Sequence, residues 1–177
     1  LRDTFNKEKL TELERAVLFQ YLNKHCFNGM CRYNKAGGFN SGIGTITKRH
    51  KTVPVENILK LAERHKGNTK ITNVSFTDVF NSLSENEDCI IYSDPPYVPL
   101  TSSFNYTPDG FGLKEHKQLK FLSKECKSVA IISNHWTPYT EELYNDADEI
   151  YIFDVQRTIS RDGTNRKKVQ ECVVVYY

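Results

Sequence analysis

The stretch Cys89-Ile90-Ile91-Tyr92-Ser93-Asp94-Pro95-Pro96-Tyr97 decides the fold of this chain. Its first half is a short apolar run, which predicts a buried β-strand over 89–93. The polar turn that follows is therefore expected at the carboxyl end of that strand. Open α/β sheets bind ligands at the carboxyl ends of their strands. The sequence thus predicts an α/β fold with a binding site at this turn.

Strand-like and helical patterns alternate around this turn. Strands are predicted at 70–74, 89–93, 129–133, 149–155 and 169–177, and helices at 77–82, 113–126 and 138–144. Strands separated by helices predict a largely parallel sheet with helices on both faces. The last two strands have only a polar loop between them, so we expect them to form an antiparallel pair at the sheet edge.

The front of the chain has a different character. An amphipathic helix is predicted over 8–23 and a second helix over 54–67, where Pro54 occupies a first-turn position. Residues 25–49 between them are rich in glycine and asparagine, which predicts loops with a hairpin around Lys35–Gly38. We therefore divide the chain into a helical, loop-rich module over 1–52 and an α/β part over 53–177.

Composition narrows the class of protein. No apolar run approaches the roughly 20 residues of a membrane helix, and the start has no signal-peptide order, so a cytoplasmic location is expected. Five scattered cysteines indicate buried thiols rather than disulfides or a metal site. The net charge is only +2, but basic residues cluster at 48–51 and 157–168. Nothing demands an oligomer, so we expect a monomer.

The turn has a chemistry of its own. Each proline lacks an N–H and fixes its φ, so the turn is stiff and offers carbonyl acceptors. Asp94 adds a carboxylate and Tyr97 an aromatic face, which suits an amine attached to a ring. The amine of adenine is a poor nucleophile because its lone pair is delocalised. Asp94 and the Pro95 carbonyl could orient its hydrogens and localise that lone pair, which is catalysis by orientation and electrostatics.

These residues resemble a known family. Asp94-Pro95-Pro96-Tyr97 resembles the catalytic motif of amino-methyltransferases that use S-adenosylmethionine, and its surroundings resemble the Dam branch, which methylates adenine in GATC. The resemblance runs nearly end to end and is carried by Arg15–Phe19, Tyr21–Asn23, Asn28-Gly29, Cys31–Asn34, Gly37, Phe39-Asn40, Ser133–His135 and Arg166–Val169. It implies part of a Rossmann-like S-adenosylmethionine-dependent methyltransferase sheet, a target-recognition module over 1–52, double-stranded DNA as partner and no metal.

The resemblance also implies residue roles. Asp94, Pro95, Pro96 and Tyr97 would be catalytic, and Asp94, Ser75 and Phe76 would contact the cofactor. Phe27 would wedge into the base stack beside the flipped adenine, and Arg32 would read a guanine edge, which is a sensible bidentate pairing. Further DNA contacts are implied at Asn28, Met30, Asn34, Arg157, Ser160, Asn165, Arg166 and Lys167. The chain departs from close relatives at Gly42, where they have proline, and at Ile46, where they have tyrosine.

Three features of the family are not found: an aromatic-x-Gly-x-Gly turn, an acidic residue for the cofactor ribose, and an early lysine or tryptophan. We expect that cofactor-binding part to lie before Leu1, so that the chain alone holds the cofactor incompletely.

Several alternatives stay open at this point. One is a DNA-binding fragment without activity, and another is an RNA or protein amino-methyltransferase, although the loop at 27–32 favours DNA. Residues 157–168 could be a solvated hairpin tip, and Ser133–His135 could line the site or merely end a strand.

Overall fold

A computed structural model describes residues 1–44, 54–100, 111–156 and 168–177. The chain divides into two compact units, Leu1–Ile71 and Thr72–Tyr177. The division by function between residues 52 and 53 stays a prediction.

The first unit is helical and loop-rich. It contains α1 (Arg2–Lys7), α2 (Glu12–His25), a single 3-10 turn (Phe27–Gly29) and α3 (Val55–His65). Helix α2 begins later than the predicted residue 8, because Thr11 and Glu14 form a reciprocal cap at its start. Helix α1 was not predicted, since a single turn and a half carries too little periodicity.

The first unit has a small core of its own, made of Phe5, Leu22, Cys26 and Phe39. The rings of Phe5 and Phe39 meet edge to face at 6.1 Å. The predicted hairpin is confirmed, because Tyr33 and Phe39 form an antiparallel bridge around it. Its turn is closed by hydrogen bonds from Gly37 N to Asn34 O at 2.9 Å and from Asn34 N to Gly38 O at 2.8 Å.

The second unit is a mixed α/β fold. Its elements are α4 (Phe76–Leu83), β1 (Ile90–Ser93), α5 (Leu113–Glu125), β2 (Val129–His135), α6 (Pro138–Leu143), β3 (Glu149–Gln156) and β4 (Lys168–Tyr176). The strands form an open four-stranded sheet in the order β1-β2-β4-β3. These elements agree closely with the sequence-based expectation, because apolar runs and helix caps both mark their limits.

Two predictions about the sheet are wrong. It is not largely parallel: β1 and β2 run parallel, whereas β4 is antiparallel to both β2 and β3. β4 lies between β3 and β2 in the sheet and pairs antiparallel with both. The antiparallel pairing of the last two strands at a sheet edge was predicted and is confirmed, since β3 pairs with β4 and forms one edge of the described sheet.

The second error is the strand expected at 70–74. The described structure assigns no strand there, and Ile71 is 92% exposed. An extended segment gains stability only from a paired neighbour and a buried face, and the described strands offer this one neither.

One face of the sheet carries the core of the second unit. Ala130, Ile132, Cys172, Val174 and Tyr176 alternate inward and pack with buried residues of α4, α5 and α6, namely Phe80, Leu119 and Leu143. The single tryptophan, Trp136, packs partly buried against this core. Residues of the opposite face stay exposed, with Ile90 at 69% and Tyr92 at 62%. We expected helices on both faces of the sheet, but the described helices of this unit pack their buried residues against one face only.

The five cysteines are free thiols, of which Cys26, Cys126 and Cys172 are buried and Cys31 and Cys89 are partly buried. No described helix has the length and apolar character to cross a membrane.

Candidate functional site

The turn Asp94–Val98, called here the proline turn, follows β1 directly. The Asp94 side chain is exposed and forms no ion pair with any described residue. Val98 at the other end is only 5% exposed and anchors the turn in the unit. The turn therefore presents a carboxylate to solvent from a fixed base.

Three consecutive residues at the end of β2 hold this turn. The Ser133 hydroxyl donates to Asp94 Oδ1 at 2.9 Å. Asn134 Oδ1 accepts from the Val98 N–H at 2.9 Å, and His135 Nδ1 lies 2.8 Å from the Val98 carbonyl, which requires Nδ1 to carry the hydrogen. Because β2 lies beside β1 in parallel, its carboxyl end reaches the same edge of the sheet as the turn. Ser133–His135 are therefore supports of the turn and more than a strand terminus.

A buried polar cluster lies next to these supports. Asn134 is fully buried, and its Nδ2 donates to the Tyr144 hydroxyl at 3.2 Å and lies 3.4 Å from His116 Nδ1. Burial lowers the pKa of His116 to about 4, and the nearby Pro96 backbone opposes this only in part. Its Nε2 makes no hydrogen bond of ordinary geometry with any described residue. The ring is therefore neutral at physiological pH.

Tyr97 is half-buried and its ring meets the His135 ring edge to face at 5.0 Å. Burial raises the pKa of Tyr97 to about 12, so the phenol stays uncharged. An uncharged aromatic ring held at its edge is suited to stacking against a flat heterocycle.

Ser75 and Phe76 lie at the start of α4. The Ser75 hydroxyl accepts from the Thr77 N–H at 3.3 Å and so caps the helix, a sufficient structural role for this side chain. The Phe76 ring lies 5.7 Å from that of Phe111, which in turn lies 4.9 Å from the His116 ring. Ring contacts thus connect Phe76 to the cluster beside the proline turn.

The second group of predicted residues lies in the first unit, on the segment Phe27–Arg32, called here the Phe27 loop. Phe27 is 50% exposed, and Arg32 is exposed too. The backbone of Asn28 has φ 54° and that of Gly29 φ 67°, two consecutive left-handed residues that only glycine and asparagine adopt readily. Phe27, Met30 and Arg32 border one cavity of about 160 Å³ together with Asn40, Ser41 and Gly42.

Buried Ser41 fixes the base of this loop. Its hydroxyl donates to the Met30 carbonyl at 2.5 Å and accepts from the Arg32 N–H at 2.7 Å. Asn34 belongs to the neighbouring hairpin, where its Oδ1 accepts from the Ala36 and Gly38 N–H groups at 3.0 and 2.9 Å. The local turn therefore already uses the Asn34 oxygen. Arg157, Ser160, Asn165, Arg166 and Lys167 lie outside the described residues, as do the basic residues at 48–51 and Ile46.

Comparison with known proteins identifies the family. Residues 1–159 match the D12 class N6 adenine-specific DNA methyltransferases. The chain belongs to this family. Among curated relatives, the DNA adenine methylases of Serratia marcescens and Escherichia coli K12 are each 35% identical to the chain over 99% of its length. That of Haemophilus influenzae is 34% identical over 92% of the chain.

The chain spans less than two thirds of the length of these methylases, covering 65%, 63% and 57% of them. The predicted resemblance to Dam-type amino-methyltransferases is confirmed by this family match and by these relatives. The roles of individual residues are not tested by the match and are taken up below as proposals.

Sequence reasoning gave no role to three residues that contact the turn or its supports. They are Tyr92, His116 and Tyr144. Tyr92 had a usable signal, because a polar hydroxyl two residues before Asp94 lies on the strand that leads into the turn. His116 and Tyr144 lie 22 and 50 residues beyond Asp94 in helical segments, where nothing in their spacing relates them to it.

Proposed function

We propose that this chain is the DNA-reading and catalytic part of a methyltransferase that modifies the N6 amine of an adenine in double-stranded DNA, with GATC as the recognised word. The observation that carries the proposal is the exposed Asp94 carboxylate, held on a stiff turn by the buried end of β2. Membership of the D12 class supports the reaction, and the exposed aromatic and guanidinium groups of the Phe27 loop support the DNA partner.

The proline turn would bind the adenine amine by its two hydrogens. Asp94 Oδ2 and the Pro95 carbonyl have no hydrogen-bond donor among the described residues, so both acceptors are available. Two acceptors outside the ring plane would draw the hydrogens away from it and localise the nitrogen lone pair. Tyr97 would stack on the purine, which is accessible only after the base leaves the helix.

The cofactor proposed is S-adenosylmethionine, which supplies an electrophilic methyl group on a positively charged sulfur when bound. The residues of the second unit fit part of such a molecule: an exposed carboxylate at Asp94 suits the positive charge, and the half-buried Phe76 ring offers an apolar face for an adenine. Because Ser75 is occupied in capping α4, we assign it a backbone or packing role toward the cofactor rather than a side-chain bond. We propose that the sheet of this unit is part of a Rossmann-like methyltransferase sheet.

The Phe27 loop would read the DNA. Arg32 can donate two parallel hydrogen bonds to the O6 and N7 atoms of guanine. Exposed Phe27 can enter the base stack and offset the cost of extruding the adenine, with Asn28 facing the base left unpaired. Met30 would contact bases beside them, and the segment at 157–167 would contact phosphates through Arg157, Arg166 and Lys167.

Replacing Asp94 tests the proposal most directly. In the full protein that carries this chain, Asp94→Ala should lower methyl transfer to a GATC duplex by at least about a thousandfold, because the principal acceptor for the amine is lost. Transfer is measured with a labelled methyl donor, and DNA binding, measured by fluorescence anisotropy, should change by less than about threefold. Asp88→Ala, which removes another exposed carboxylate of a turn, is the matched control and should keep full activity.

Two outcomes would contradict the proposal. Equal transfer rates for the Asp94→Ala variant and the parent would remove the turn from the chemistry. A parent protein that binds GATC duplexes but transfers no methyl group would instead support a binding protein without activity.

A further inference from the structure

A line of hydrogen bonds runs from Tyr92 through Ser133 to Asp94. The Tyr92 hydroxyl donates to Ser133 Oγ at 3.1 Å, and Ser133 Oγ donates to Asp94 Oδ1 at 2.9 Å. The Ser93 carbonyl is a second acceptor near Ser133 Oγ, but at 3.5 Å it is more distant. A serine hydroxyl has one hydrogen, so the shorter contact with the carboxylate is the one it makes.

The sheet itself sets this line. Tyr92 on β1 pairs with Ile131 on β2, and Ser133 lies two residues further along β2 on the same face. Tyr92 is 62% exposed, whereas Ser133 is 5% exposed. The tyrosine side chain therefore passes along the open face of the sheet to a buried hydroxyl, and both positions are fixed by strand register.

The line leaves the carboxylate half occupied. Oδ1 is bound by Ser133, while Oδ2 has no partner among the residues that the structure describes. Holding one oxygen fixes the rotation of the carboxylate plane and aims the other outward. A donor that itself accepts a hydrogen bond is polarised and binds its own acceptor more strongly, so Tyr92 strengthens the grip of Ser133.

We propose that Tyr92 and Ser133 are positioning residues, which together orient the Asp94 carboxylate toward the adenine amine without touching substrate. The inference rests on the proposed function. It adds two residues that act on Asp94 in sequence. Ser133 acts on Asp94 directly, and Tyr92 acts only through Ser133.

The test is a double-mutant cycle on the rate of methyl transfer. In the full protein, with DNA and cofactor saturating and a single turnover observed, Ser133→Ala should slow transfer about tenfold to a hundredfold, since misorientation of a reacting group has effects of this size. Tyr92→Phe should slow it about threefold. Binding of the duplex should be unchanged in both variants, because the proposal gives neither residue a contact with DNA.

The order of action gives the sharper readout. The double variant should be no slower than Ser133→Ala alone, because Tyr92 has nothing to strengthen once the serine hydroxyl is gone. Ser133→Thr keeps the hydroxyl and should recover most of the rate. Tyr151→Phe removes another exposed hydroxyl on a strand of this sheet, one bonded to Glu149 instead, and should leave the rate unchanged.

The possible results distinguish a failure of this inference from a failure of the proposed function. Multiplying effects in the double variant, or a Tyr92→Phe rate equal to that of the parent, would overturn the inference while leaving the proposed function intact. If Ser133→Ala fails to fold, Tyr92→Phe and Ser133→Thr still test the inference. Tyr92→Phe removes only an exposed hydroxyl, and Ser133→Thr keeps the buried one, so both variants should fold. A parent protein without transfer activity would overturn the proposed function and the inference together.

Discussion

The proline turn and the Phe27 loop expose functional groups in opposite ways. Buried side chains of β2 hold the proline turn from beneath, at both Asp94 and Val98. The Phe27 loop is held mainly through its backbone, by Ser41 and by the bond from Phe27 N to Gly42 O at 3.0 Å, whereas its Phe27 and Arg32 side chains are exposed.

This difference suggests a division of labour. A group that must be aimed to within a fraction of an ångström gains from a rigid surround of buried hydrogen bonds. A group that must enter a stack or a groove of another molecule gains from a fixed backbone and a free side chain. Perturbing the supports of the turn should therefore damage stability and chemistry together, whereas perturbing the tips of the loop should damage DNA binding alone.

The largest effect is expected at Asn134. Asn134→Ala leaves the Val98 N–H and the Tyr144 hydroxyl without their buried partner, which should lower the free energy of unfolding by about 3 kcal/mol. Urea unfolding measures the change, and Asn145→Ala at an exposed turn position is the control, expected within about 0.5 kcal/mol of the parent. Similar losses for the two variants would show that the buried network adds nothing.

A somewhat smaller effect is expected from acid. Burial lowers the pKa of His116 from 6.5 in the unfolded chain to about 4 in the folded protein. Between these pH values the unfolded chain takes up a proton that the folded protein does not. The contribution of His116 to stability is therefore full above pH 6.5 and falls by about 2 to 3 kcal/mol as the pH drops toward 4.

Unfolding curves taken from pH 7 downward would show this slope. His116→Gln should flatten it, whereas His65→Gln, at an exposed histidine of α3, should leave it in place. If the stability of the His116→Gln variant fell with pH as steeply as that of the parent, other groups would cause the acid sensitivity.

The smallest effect on folding is expected at the tip of the Phe27 loop. Phe27→Ala removes a half-exposed ring and should change the free energy of unfolding by less than about 0.5 kcal/mol. Binding to a GATC duplex should weaken about tenfold, because the substitution removes the ring that we propose enters the base stack. Phe121→Ala, at a 61% exposed ring on α5, is the matched control and should bind DNA as the parent does. If the Phe27→Ala variant bound DNA as tightly as the parent, Phe27 would have no role in DNA binding.

The sequence alone predicted local structure well and long-range pairing poorly. The sequence located all four strands of the sheet and helices such as α5 and α6. The signals that mark them, the spacing of apolar residues and the capping residues, extend over only a few positions. The order of the sheet was not predicted, since the insertion of β4 between β2 and β3 depends on contacts between distant residues. The false strand at 70–74 shows the same limit, because an apolar run has no strand character without a partner.

The candidate site was predictable to a similar degree. Asp94–Tyr97 and the loop at 27–32 stood out because they are contiguous and chemically distinctive. The contacts of Ser133 with Asp94 and of Asn134 with Val98 join residues 39 and 36 positions apart, and only strand register brings them together. His116 could not have been found, because its place beside Asn134 depends on how α5 lies on the sheet.

Trp136 follows directly on the three residues that grip the proline turn, and it is the single tryptophan of the chain. Its backbone N–H donates to the Gln170 carbonyl at 2.8 Å, so the main chain of Trp136 is held at this end of β2, and its indole packs partly buried against the core of the second unit. Light at the long-wavelength edge of the protein absorption band, where tryptophan absorbs and tyrosine does not, therefore excites Trp136 selectively. Without any attached dye, the emission of this indole would report changes in the packing of the second unit at the end of β2 that holds the proline turn.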